Sequence, residues 1–224
     1  MKLKSGPKRY RIIIDSAMII LMPLLMAYSL IGEELHEIMG ICCFILYLIH
    51  HYMNRKWWST LFKGKYNAFR IMNTTINILL LLYMIIQPIT GLLMSKYLLK
   101  NVSVLSLSSL VRAIHLPLAY WGLILMSMHL GFHLRIKTQI KYMGIPISIY
   151  GLYAFFNRHI LDYLTMNTMF AFFDTNESRL IFLLDYVAII ILFAMISYYL
   201  KSLLIKKEES DKILLFLLMY NLCF

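Results

Sequence analysis

Residues Leu180–Leu200 read LIFLLDYVAIIILFAMISYYL, 21 positions that carry a single charge, Asp185. As a helix rising about 1.5 Å per residue, that run crosses the roughly 30 Å hydrocarbon layer of a bilayer. The run Ile12–Ile31, IIIDSAMIILMPLLMAYSLI, does the same with 20 residues. Around them, 61% of the 224 residues are apolar and only 15% are charged, with a mean hydropathy of +0.71. A soluble domain carries about 25% charged residues, and a chain this short cannot hide so much apolar surface in one core. The composition excludes a cytosolic enzyme, a disordered chain and a secreted disulfide scaffold. It implies an all-α, polytopic transmembrane helical bundle.

Six spans are expected: Ile12–Ile31, Leu35–Tyr52, Ile71–Met94, Val111–Leu134, a weaker Lys141–Asn157 and Leu180–Leu200. The alternative is five spans plus a re-entrant segment over Lys141–Asn157, where Gly144, Pro146 and Gly151 fall. The net charge of +11 is distributed in short clusters between the apolar runs. Seventeen of the 22 basic residues fall in the N-terminal segment, the second and fourth loops and the tail. The other side has Lys96, Lys100, Arg112, Arg158 and Arg179, with Glu33, Glu34 and Glu37 in its first loop. The positive-inside bias then expects both termini in the cytoplasm. Lys2, Lys4, Lys8 and Arg9 ahead of an apolar run resemble a signal peptide, but the run exceeds the usual ~7–15 residues, so a retained helix is expected. Cys42, Cys43 and Cys223 form neither a disulfide framework nor a C-x-x-C-H motif, and read as apolar fillers.

Seven histidines in so apolar a chain call for a reason, because ionisable groups inside a membrane are costly and usually functional. His36 and His50 in the second span are 14 residues apart, and so are His115 and His129 in the fourth. Fourteen residues climb about 21 Å and complete almost four turns, so each pair faces nearly one way. The two spans run in the same direction, which sets His36 opposite His115 near the outer face and His50 opposite His129 near the inner face. Two imidazoles from facing helices can ligate one haem, and the chain offers two such levels. Zinc fits less well, because its sites are compact and tetrahedral. The expected ligands are therefore His36, His50, His115 and His129 of two non-covalent b haems.

Small residues let a helix approach a bulky planar group. Cys43 and Gly122 lie midway between the histidines of their helices, and Gly40 lies one turn from His36. His51 points about 100° away from His50, and His133 lies near the cytoplasmic end, so both are expected beside the haems or at the interface rather than as ligands. His159 reads as a surface residue. Arg112 and Arg135 are placed to pair with haem propionates, or equally to snorkel at the membrane ends. Asp15 and Asp185 are candidate proton partners that could instead satisfy neighbouring helices.

The stretch Leu48-Ile49-His50-His51-Tyr52-Met53-Asn54-Arg55-Lys56-Trp57-Trp58, followed by Lys63-Gly64-Lys65-Tyr66, resembles the loop after the second helix of the flavinylation-associated cytochromes. Thr90-Gly91-Leu92-Leu93-Met94-Ser95 and the segment His115–His133 are similar to that family as well. The resemblance runs from the first helix to about residue 204, giving a cytochrome domain over 1–204 and a short cytoplasmic tail, 205–224, of no assigned role. It implies a di-haem b-type membrane cytochrome that works beside extracytoplasmic FMN-binding proteins, with quinol as donor. Glu33, Glu34, Asp174 and Glu177, with Phe172 and Phe173, could form an outer patch that docks a carrier, or equally a solvated loop packed on the helix ends. The chain contains no Gly-rich dinucleotide motif, P-loop or nucleophile triad. A second class remains open: a non-redox transporter or assembly factor using its histidines for protons or metal.

Overall fold

The computed structural model describes residues 8–97, 108–134, 138–168, 170 and 177–223. Among these, every regular element is a helix: α1 (Lys8–Met26), α2 (Tyr28–Ile31), α3 (Glu33–Met53), α4 (Lys56–Thr60), α5 (Ala68–Met94), α6 (Ser108–His133), α7 (Thr138–Asn157), α8 (Ile160–Leu164) and α9 (Arg179–Cys223). Four described helices are long and apolar enough to cross a bilayer: α3, α5, Ser109–His133 of α6 and Arg179–Ile213 of α9. They make the chain a membrane protein by length and composition. α1 and α7, of 19 and 20 residues, are not among the four. α1 gathers Lys8, Arg9, Arg11 and Asp15 at its start, and α7 is diluted by Gly144, Pro146 and Gly151.

Local chemistry sets the helix ends. The first apolar run divides, because the Ala27 amide donates to Leu24 three residues back, a tightened turn that closes α1. Gly32 follows α2 with φ +85, a left-handed conformation that an L side chain rarely adopts. Glu33 and Glu34 then open α3, where acidic side chains suit the positive end of the helix dipole. The Asn67 side chain caps α5 by accepting from the Arg70 amide at 2.8 Å. At the other extreme, α9 runs unbroken for 45 residues, far beyond the 21 expected of the last span.

The bundle is a ring. α9 packs on α6, α6 on α5, α5 on α3, α3 on α1, and α1 returns to α9, while α7 lies against α9. Small residues permit the closest approaches. A Cβ on Gly131 would collide with the Ala194 carbonyl and Ser197 of α9, and one on Gly151 with the Ala188 carbonyl. The core gathers Leu123, Ile160, Ile189 and Tyr186, with the rings of Tyr120 and Tyr163 stacked 4.2 Å apart.

Charges buried between α7 and α9 are mutually satisfied. Asp185, 2% exposed, accepts from Arg158 Nε at 2.8 Å and from the Tyr150 hydroxyl. Arg158 also grips Glu177 and sits 4.8 Å over the Phe182 ring. Of the two roles open to Asp185, the structure places it in this cluster of one guanidinium, two carboxylates and a phenol. Removing one partner of a buried pair is far more damaging than replacing both. Arg158→Met, which strands both carboxylates, should therefore cost about 3 kcal/mol, and Arg158→Met/Glu177→Gln/Asp185→Leu less, measured by denaturant unfolding in micelles.

Candidate cofactor site

Enclosed by α1, α3, α5 and α6 is a cavity of about 350 Å³, within the ~300–1,000 Å³ range of ligand pockets. Its wall includes His36, Gly40, Arg112 and His115, four of the residues expected at the outer level, and it reaches inward to Cys43, Tyr83 and Met126. The rings of His36 and His115 lie 6.5 Å apart, centroid to centroid, at 71°. Two metal–imidazole bonds of about 2 Å and two ring half-widths of about 1 Å place bis-imidazole centroids about 6 Å apart. At the other end, His50 and His51 lie close enough to His129 to act on it electrostatically. α3 and α6 are therefore parallel and in register.

Three of these imidazoles are held through Nδ1. The Thr90 hydroxyl donates to the carbonyls of Ile86 and Gln87, at 3.1 and 2.9 Å, and so acts as acceptor for His115 Nδ1 at 2.9 Å. Asn77 Oδ1 accepts from His129 Nδ1 at 2.7 Å, and Asp15 Oδ1 from His50 Nδ1 at 2.7 Å. With the proton on Nδ1, the Nε2 lone pair is free to act as a base or a metal ligand. Two amides meet those lone pairs: Gln87 Nε2 at 3.2 Å from His115 Nε2, and Asn54 Nδ2 at 3.3 Å from His50 Nε2. Gln87 Oε1 is buried without a hydrogen-bond partner. So is His36 Nδ1. Buried polar atoms left without partners are uncommon, and two of the five found among the described residues belong to this cavity's wall.

Glycine contacts separate into two kinds. A Cβ on Gly40 would find only Leu25 Cδ2, at 4.0 Å, and one on Gly91 would meet His115 Cε1 at 3.4 Å. Gly122 differs from its expected role. A Cβ there would collide with the phenol ring of Tyr83, so Gly122 makes room for a side chain of α5 rather than for a planar cofactor. Tyr83 is buried and close to Cys43, filling the middle of the bundle between the two histidine levels.

The remaining sequence-derived candidates are also placed. The His51 ring packs edge-on against Tyr47 at 4.7 Å and tilted against Trp58 at 5.9 Å. His133 is exposed and lies 4.6 Å from the His129 ring. His159 is a surface residue, 3.3 Å from Asp162. Arg112 is exposed at the cavity wall. Arg135, Phe172, Phe173 and Asp174 lie outside the described residues. Thr90, Asn77, Gln87, Asn54 and the contact of Asp15 with His50 were not identified as site features from sequence, since a lone hydroxyl or amide in a span carries no spacing signal.

Among the described residues, no three His, Cys, Asp or Glu side chains gather as a compact metal site. Instead, His36 and His115 face each other at 6.5 Å, and His50 acts on His129 electrostatically. No family model, curated protein or solved structure matches the chain. The packing role of Gly122 is open to a double-mutant cycle. Gly122→Ala should destabilise the protein by about 1–3 kcal/mol through overpacking, and by much less in a Tyr83→Leu background, measured by unfolding of the cofactor-free chain in micelles.

Proposed function

We propose that the chain is a transmembrane electron carrier holding two b haems, each between two histidines. His36 and His115 would hold the outer one and His50 and His129 the inner one. The observation carrying this reading is the facing of His36 and His115 at 6.5 Å across parallel helices, with Nδ1 hydrogen-bonded on His50, His115 and His129. Haem, when bound, supplies one-electron redox chemistry. The chain's own task is to hold, orient and keep dry. Thr90, Asn77 and Asp15 fix the ring tautomers. Gln87 and Asn54, whose amides meet Nε2 now, would yield those positions to the metal. Gly40 and Gly91 keep the wall of the outer cavity low. Arg112 is placed for an anionic group at its mouth.

In this reading the chain crosses the membrane six times, with α1 and α7 as the additional crossings and both termini in the cytoplasm. The basic bias of the N-terminal segment, the α3–α5 and α6–α7 loops and the tail supports that topology. Electrons would pass between a quinol or another membrane donor and an extracytoplasmic FMN-bearing protein. The flavin partner rests on the resemblance of Leu48–Trp58, Thr90–Ser95 and His115–His133 to the flavinylation-associated cytochromes.

Purified from haem-replete cells, the protein should show sharp reduced-state bands and close to two acid–acetone-extractable haems per chain. His36→Ala and His115→Ala should lose the same haem, and His50→Ala and His129→Ala the other. His51→Ala and His133→Ala should retain both. A colourless protein overturns the reading and leaves the transporter class.

The direction of transfer has its own test. The reduced protein in oriented vesicles should be reoxidised by an FMN-bearing partner at the outer face faster than by free FMN. His36→Ala should abolish that advantage. Equal rates from either face would refute the outer acceptor.

A further inference from the structure

The four paired histidines are not held alike. His115 Nδ1 meets a hydroxyl and His129 Nδ1 an amide oxygen, both neutral, while His36 Nδ1 has no side-chain partner. His50 Nδ1 meets a carboxylate, Asp15, at 2.7 Å. Among the described residues, Asp15 is the only charged side chain hydrogen-bonded to any of the four. Building on the cytochrome reading above, we infer that Asp15 is a positioning residue for His50 that sets the reduction potential of the inner haem below that of the outer one.

The placement of Asp15 is supported from the same helix. One turn earlier on α1, Arg11 donates to the Met53 carbonyl at 2.7 Å and to Asn54 Oδ1 at 3.3 Å. These bonds fasten α1 to the end of α3 in the register that brings Asp15 to His50. A carboxylate on the far nitrogen fixes the tautomer and strengthens the ring as a donor. A stronger donor favours the oxidised metal and lowers the potential, as do nearby negative charges. Asp15 is also close enough to act on His129 and His133, so its field falls on the whole inner level.

The outer level has a different balance. Glu33 is paired with Lys96 at 2.8 Å. Glu37 accepts from Ser95 Oγ at 2.7 Å and from the Lys96 amide at 2.9 Å. Arg112 contributes a positive charge at the cavity wall. Outside, the anions are offset and none bonds a histidine of the pair; inside, Arg11 and Lys201 flank the level, but Asp15 alone bonds a ligand ring directly. The resulting slope favours electron movement from the cytoplasmic level to the outer one.

The test is a potentiometric titration of the haem-loaded full chain, comparing wild type with Asp15→Asn, Asp15→Glu and, as the neutral control, Thr90→Val. Wild type should titrate as two components, and His50→Ala should lack the lower one. Asp15→Asn should shift the lower component upward by about tenfold in its reduction equilibrium, about 59 mV for one electron, with the higher component unmoved. Asp15→Glu should restore most of the shift, and Thr90→Val should move only the higher component. Loss of one haem in Asp15→Asn, regained in Asp15→Glu, would also support the positioning role. A coloured Asp15→Asn protein whose components both stay in place, or both move equally, overturns the inference while leaving the cytochrome reading intact. A colourless wild-type protein overturns both.

Discussion

An imidazole inside a helical bundle brings two ring nitrogens into surroundings that offer little water, and each nitrogen left unpaired costs about 1–3 kcal/mol. Much of the arrangement of α1, α3, α5 and α6 meets that demand. α5 supplies Asn77 and Thr90, 13 residues apart and running antiparallel to α6, where His129 and His115 are 14 apart. Two nearly equal rises on opposed helices place one acceptor beside each histidine. α1 serves α3 less evenly: the Asp15 carboxylate meets His50 at one end, while His36 Nδ1 at the other is left without a hydrogen-bond partner.

The same wall also separates the two levels. Between Asn77 and Thr90, α5 projects Tyr83 toward α6, and Gly122 is the residue that admits it. The ring of helices is therefore occupied at its centre by a phenol and open toward His36 and His115. Close packing and cavity arise from one choice of side chain at each position: glycine opposite tyrosine closes the middle, whereas Gly40 and Gly91 face space or an imidazole edge.

Sequence made the long helices legible because apolar length is a one-dimensional property. Leu35–Tyr52 and Ile71–Met94 were expected, and α3 and α5 enclose both. The break at Ala27–Gly32 was not visible, since Ala27-Tyr28-Ser29 has no strong breaker and the turn depends on a local change of hydrogen bonding. The extension of α9 was missed for the opposite reason. Lys201, Lys206, Lys207 and Lys212 mark a membrane end, yet Lys and Glu are good helix formers, and Glu208 and Lys212 pair at 2.8 Å along the helix. In the site, the interval of 14 residues announced which histidines could share a level. Their partners come from other helices, and only the fold could reveal those. Gly122 was noticed for its smallness, but what occupies the adjoining space was a tertiary fact.

The length of α9 has a mechanical consequence. Forty-five residues span roughly 68 Å, about twice the hydrocarbon thickness. The helix is fastened where Lys201 reaches the Phe132 carbonyl at 2.6 Å, and again where Glu208 accepts from Asn67, the cap of α5, at 2.7 Å. Beyond that second fastening, the helix continues to Cys223 as a pointer on a fixed pivot. Small rotations of α5 against α6 would be magnified at its tip, so a probe placed there acts as an optical lever on the spacing of those two helices.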